Sequence, residues 1–211
     1  MIAMSSRGMN AEQRREQIVR MTTRLFADNG FEGTKFWQIA QACGVSEGNI
    51  LYFFPNKEAL HTACFRQAIR NTLPTMSEIP DRTDKALYEY ALTFLTQCKK
   101  DPDSLRFFLH INLSEPKKND ILYESEAIKG YIRQLEEIIA RGVESEHIRT
   151  TDICFSARAF LGTLFIIAIL FEFYQKDAVN RLNDKELASK AVELFMKGLA
   201  NPKPGSEPKG R

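Results

Sequence analysis

Apolar residues recur along this chain at offsets of three and four, the spacing that gathers side chains on one face of an α-helix. Ile18, Met21, Leu25 and Phe26 do so between Glu12 and Asn29, and Gly30 follows as a C-terminal stop. Phe36, Ile39, Ala40 and Cys43 predict a short second helix, and Ile50 and Phe54 anchor a third that starts at Glu47. Asn56 is a natural N-cap for a fourth, which runs to about Leu73 before Pro74 ends it. A Pro-containing connection from Thr75 to Asp81 follows, and everything beyond reads as helix: Lys85 to Lys99, Asp103 to Ser114, Ile121 to Glu144, Asp152 to Lys176 and Asp184 to Leu199. No segment alternates as a strand would and no internal repeat is present, so the predicted fold class is all-α.

The second and third helices are joined by Gly44-Val45-Ser46, which has the length and residue types of the turn in a helix-turn-helix. Gly44 tolerates the positive φ of a sharp helix exit, and Ser46 can accept a backbone N–H bond as the next N-cap. With Ile50 and Phe54 turned inward, Glu47, Asn49, Tyr52 and Phe53 face outward, on the side that enters a DNA major groove in such motifs. The first helix packs behind this pair. The domain organisation predicted is a flexible arm over 1–10, a helix-turn-helix DNA-binding domain over 11–73 with its reading motif at about 35–54, a larger helical domain over 74–200, and a Pro-rich disordered tail over 201–211.

The stretch GFEGTKFWQIAQACGVSEGNILYFFPNKEAL, Gly30 to Leu60, resembles the DNA-binding signature of TetR-type (TetR/AcrR) transcriptional regulators, which reads G-F-x-x-T, then I-A-x-x-A-G-V-S-x-G-x-I-Y-x-x-F, then K-x-x-L. Three positions depart from that pattern: Lys35 replaces a small hydroxyl residue, Leu51 an aromatic, usually Tyr, and Phe53 a His or Tyr. The resemblance covers roughly Ala11 to Leu73 and implies a homodimeric regulator on a near-palindromic double-stranded operator. Glu47, Asn49 and Tyr52 are then the candidates for bases or flanking phosphates. Lys35, Trp37 and Lys57 are candidates for the backbone, with Ser46 and Phe53 completing the DNA-binding set; packing on the first helix is the other reading of Trp37.

The segment Asp152 to Lys176 is apolar nearly all round, and such a helix is normally covered on several sides. In the family resembled, the last two long helices pair with their mates in a four-helix bundle. That implies a dimer interface from Phe160, Leu161, Leu164, Phe165, Ile167, Ala168 and Phe171 with Leu187, Ala191, Leu194 and Phe195. A buried core helix in a monomer is the alternative. The resemblance also implies a small-molecule effector of unidentified chemistry, and a repressor released by it; a transcriptional activator is the alternative. Polar or aromatic residues on the apolar-rich helices of the second domain, Cys98, Phe107, His110, Tyr131, Arg158 and Glu172, are candidates to line its site, each with a core or surface role as the other reading.

Composition narrows the classes without choosing among them. With 211 residues, 44% apolar and 27% charged, the chain has the make-up of a soluble globular protein. Its net charge is only +2, and residues 1–60 hold seven Lys/Arg against six Asp/Glu, so the DNA reading rests on the motif. The four cysteines, Cys43, Cys64, Cys98 and Cys154, are far apart and read as reduced thiols in a cytoplasmic protein. The uncharged run Ala159 to Phe171, thirteen residues, is shorter than the roughly 20 that span a bilayer, so no membrane partner is expected. No nucleophile elbow, phosphate-binding glycine loop or zinc-type cluster is present, and His61, His110 and His147 are isolated; no cofactor or metal is expected, and the chain does not read as an enzyme. A helix-turn-helix scaffold reused as a protein-interaction module remains the competing class.

Overall fold

The computed structural model describes residues 9–114, 126–150, 152–173 and 182–199, and these are helical with no strand among them. In chain order the helices are α1 (Ala11–Gly33), α2 (Phe36–Cys43), α3 (Glu47–Phe53), α4 (Lys57–Thr72), α5 (Thr83–Lys100), α6 (Pro102–Ser114), α7 (Glu126–Glu144), α8 (Ile153–Phe173) and α9 (Asp184–Leu199). The expected arm over 1–8, the tail over 201–211 and the start of the predicted Ile121 to Glu144 helix lie outside the described residues.

Local chemistry sets the helix ends. Asn10 caps α1 reciprocally with Gln13: the Gln13 N–H donates to Asn10 Oδ1 at 2.8 Å and the Asn10 N–H to Gln13 Oε1 at 3.0 Å. Gly30 stops the regular part of α1 as expected, at φ 69° and ψ 176°, after which one more turn continues to Gly33. Asn56 Oδ1 accepts the Ala59 N–H at 2.8 Å and opens α4. Asp101 opens α6, accepting the Ser104 N–H at 3.2 Å and its hydroxyl at 2.6 Å, with Pro102 in the first helical position.

The helices fall into two compact units. The first holds α1 to α4 and α6. Its core is built on Ile18, Phe26, Ile39, Ile50, Leu60, Cys64, Phe65, Ala68, Leu105 and Phe107, all fully or nearly fully buried. Phe26, Phe31 and Phe107 surround the ring of His61 at centroid distances of 5.1, 5.0 and 5.4 Å, and Phe65 stacks on Phe108. The first break falls after Thr72, one residue before the boundary read from the sequence, and α6, read as part of the second domain, packs on α1 and α4 instead. Its buried Leu105, Phe107, Phe108 and Ile111 form the apolar face turned to the buried faces of those two helices.

The second unit holds α5, α7, α8 and α9, with α5 packed on the other three. Leu87, Tyr90, Ala91, Phe94, Leu135, Ile138, Ile139, Phe160, Leu164 and Ala188 form its core. Gly142 is required where α7 crosses the start of α5, because a Cβ there would lie 2.7 Å from Thr83 Cγ2 and 2.9 Å from Ile148 Cδ1. The thirteen-residue uncharged run sits inside the longer α8, and Ile153–Phe171 is long and apolar enough to cross a bilayer by length and composition. Arg158 interrupts the uncharged run without ending the helix.

Candidate nucleic-acid interface

The turn between α2 and α3 is built as its residue types dictate. Gly44 adopts the left-handed conformation, φ 67° and ψ 36°, and the Val45 N–H returns to the Ala40 carbonyl at 3.0 Å. Ser46 Oγ accepts the Asn49 N–H at 3.2 Å, so its side chain is engaged as the cap of α3. Lys35 precedes α2 where a hydroxyl would cap it, and an ammonium cannot accept a backbone bond. Gln38 supplies the other half of a capping box, its Oε1 accepting the Lys35 N–H at 2.7 Å, while Lys35 Nζ donates to the Glu32 carbonyl at 3.0 Å.

Ile50 and Phe54 hold α3 from behind at 0% and 2% exposure, which fixes the outward face. That face carries Gly48, Asn49, Leu51 and Tyr52, all exposed, with Tyr52 at its centre. Glu47 is exposed in the first turn, and Phe53 is half-buried with its ring edge-on to Tyr52 at 5.1 Å. Trp37 is exposed at the start of α2. Lys57 Nζ lies over the Phe31 ring, 4.3 Å from its centroid, and is half-buried. Leu51, which in the sequence stands out only as a departure from the family pattern, thus belongs to the outward face; its signal is its position one residue before Tyr52.

Behind the reading pair the thiols are inert. Burial pushes Cys43 up to about 11 and Cys64 up to about 12, and Cys64 Sγ donates to the Val19 carbonyl at 3.5 Å. Among the described residues no group of His, Cys, Asp and Glu is arranged to hold a metal ion.

The residues expected around an effector belong to both units. Cys98 and Tyr131 belong to the second unit, buried on α5 and half-buried on α7. Phe107 and His110 belong to the first, Phe107 stacked on Phe26 at 5.7 Å and His110 beside Gly30. Arg158 is exposed and paired with Glu136 at 3.1 Å, its guanidinium also donating to the Cys154 carbonyl. The side chain of Glu172 lies outside the described residues. A polar group that the sequence pattern does not single out is the Tyr90 hydroxyl, fully buried in the second unit and without a hydrogen-bond partner among the described residues. Burial, with the neighbouring Tyr131 phenol adding to it, raises its pKa above the ordinary phenol value. The signal for it is a lone phenol on the apolar stripe of α5.

The dimer candidates divide in the same way. Phe160, Leu164, Ala168, Leu187 and Ala191 are buried inside the protomer, and a side chain with no surface left has none to offer a second copy. Phe165 packs on Phe94 at 5.0 Å, Phe195 on Phe160 at 4.7 Å, and Phe171 lies under Lys99 Nζ at 3.8 Å, while Leu161 and Ile167 are half-buried. Of the eleven, Leu194 is exposed.

The model of the bacterial regulatory proteins of the tetR family matches residues 18–64, the span from α1 into α4. The chain is 31% identical over 152 residues to the HTH-type transcriptional regulator RutR of Escherichia coli (strain K12), covering 70% of this chain and 69% of that one. It is 24% identical over 192 residues to the fatty acid metabolism regulator protein of Bacillus subtilis (strain 168), covering 88% and 95%. In fold it is similar to the TetR family transcriptional regulator PfmR from Thermus thermophilus, with a TM-score of 0.67 at 20% identity over 87% of this chain and 99% of that one. The chain belongs to the TetR family of DNA-binding transcriptional regulators.

Proposed function

We propose that this chain is a cytoplasmic homodimeric repressor that binds a near-palindromic operator and leaves it when a small molecule occupies the second unit. The observation that carries the dimer is an apolar stripe on α8 that the protomer leaves uncovered: Phe155 is 69% and Ile166 57% exposed, with the exposed Ala159 and Gly162 between them. Only 28% of Ile153–Phe171 is buried within the protomer. Leu194 on α9 adds a further large apolar side chain at 69% exposure. A continuous apolar face of this kind marks an interaction surface. A second copy carries the same stripe, so one two-fold contact covers both, and the small residues at its centre let two α8 helices approach closely. Two copies of α3 related in this way suit half-sites about one helical turn apart.

Release is supported by the course of the chain. α6 lies in sequence between α5 and α7 of the second unit, yet it packs on α1 and α4. A displacement of α5 is passed along the chain to α6 at Asp101, the residue that joins them. Asp101 also holds α4, its Oδ2 accepting from Asn71 Nδ2 at 2.6 Å, and α4 follows the reading pair directly. Effector and operator then alter each other's affinity by one and the same factor, about 1–3 kcal/mol in systems of this kind.

Selection of binding sites from a random-sequence duplex library by the full-length protein tests this reading. It should enrich paired, inverted half-sites about one turn apart. Enrichment of a single half-site would remove the dimer, and no enrichment would remove DNA reading by α3.

A further inference from the structure

The outward face of α3 is short of charge. Gly48, Asn49, Leu51 and Tyr52 form it, with no Lys, Arg, Asp or Glu among them, and the one charged residue of the helix is Glu47 in its first turn. Guanine is most commonly read in the major groove by a bidentate Arg or Lys, and α3 has neither. What it presents is one amide and an exposed aliphatic side chain, Leu51, at 46% exposure. Ile50 and Phe54 set the helix rotation, so Leu51, one residue before Tyr52, and Asn49, three before it, lie on opposite flanks of Tyr52. The hydrogen-bonding edge of a base offers nothing to a leucine. The C5-methyl of thymine does, because contact removes two apolar groups from water at once.

We propose that Leu51 reads a thymine C5-methyl group in the major groove, making each half-site specific for an A·T pair at that position. The proposal rests on α3 being the reading helix and adds which base chemistry it selects. Three observations carry it together: no cation is available on α3 to read guanine, Leu51 is exposed on the outward face, and it is not held there by the core. Its neighbour Asn49 fits the same composition, since an amide pairs bidentately with adenine N6 and N7.

The experiment uses the full-length protein and the half-site pair enriched from a random duplex library, made with thymine and again with deoxyuridine, one position at a time. Deoxyuridine keeps the pairing and the O4 acceptor and deletes only the methyl. At one position per half-site the parent should lose about fourfold in affinity per methyl, the worth of one such group removed from water. In Leu51→Ala the same replacement should cost nothing. Because Leu51 is on the surface, the variant should keep the parent's helicity and melting temperature. A methyl dependence that persists unchanged in Leu51→Ala, or no methyl dependence at any position, would overturn the proposal while leaving α3 as the reading helix. Failure of the parent to prefer any duplex would overturn the reading on which it rests.

Discussion

His110 on α6 stands so close to Gly30 of α1 that a Cβ there would lie 3.0 Å from its Nε2. Gly30 also has φ 69° with ψ 176°, a region essentially closed to other residues. Two costs therefore meet in Gly30→Ala, and they differ in size. The imidazole end is a side chain that can move, whereas the backbone strain is fixed at about 1–3 kcal/mol. Urea unfolding should show a loss in that range, most of it retained when Gly30→Ala is made in a His110→Ala background. Near-complete recovery in that background would mean that the contact, and not the backbone, dictates the glycine.

The uncovered stripe of α8 and the core on its other side call for opposite outcomes from the same kind of change. Ile166→Glu places a charge on the exposed face and should give a folded monomer in sedimentation. Leu164→Glu, two residues earlier, buries an unpaired carboxylate in the protomer and should cost several kcal/mol, enough to unfold it. A folded dimer of unchanged affinity from Ile166→Glu would place the seam elsewhere.

Lys57, poised over the Phe31 ring at the start of α4, is the expected phosphate contact. Lys57→Ala should weaken specific and random duplexes by a similar factor and reduce the slope of log affinity against log salt by about 1 for each phosphate it no longer neutralises. An unchanged slope in a fluorescence-anisotropy titration would confine Lys57 to its cation–π role.

The reading motif is legible in the sequence because its determinants are local. Gly44, Ser46, Ile50 and Phe54 lie within eleven residues of one another, and each is used for the property that its residue type supplies. Two features are not legible, for one physical reason: periodicity shows which face of a helix is apolar and not what covers it. On α6 the apolar face is plain, but its partners, α1 and α4, are distant in sequence, so the pattern places Phe107 and His110 with the wrong unit. On α8 apolar residues run all round. Nothing in the pattern distinguishes Phe160 and Leu164, which fill the protomer's own core, from Phe155 and Ile166, which face outward.

Specific reading of DNA by α3 is the central claim, and Asn49 tests it most directly. Its backbone N–H, which Ser46 caps, is retained in Asn49→Ala, while its exposed amide is removed. Affinity of parent and variant should be measured by fluorescence anisotropy, on the enriched operator and on a duplex with both half-sites scrambled. The account predicts a loss of about 1–3 kcal/mol per half-site on the operator and no change on the scrambled duplex. An equal loss on both duplexes, or none on either, would contradict it.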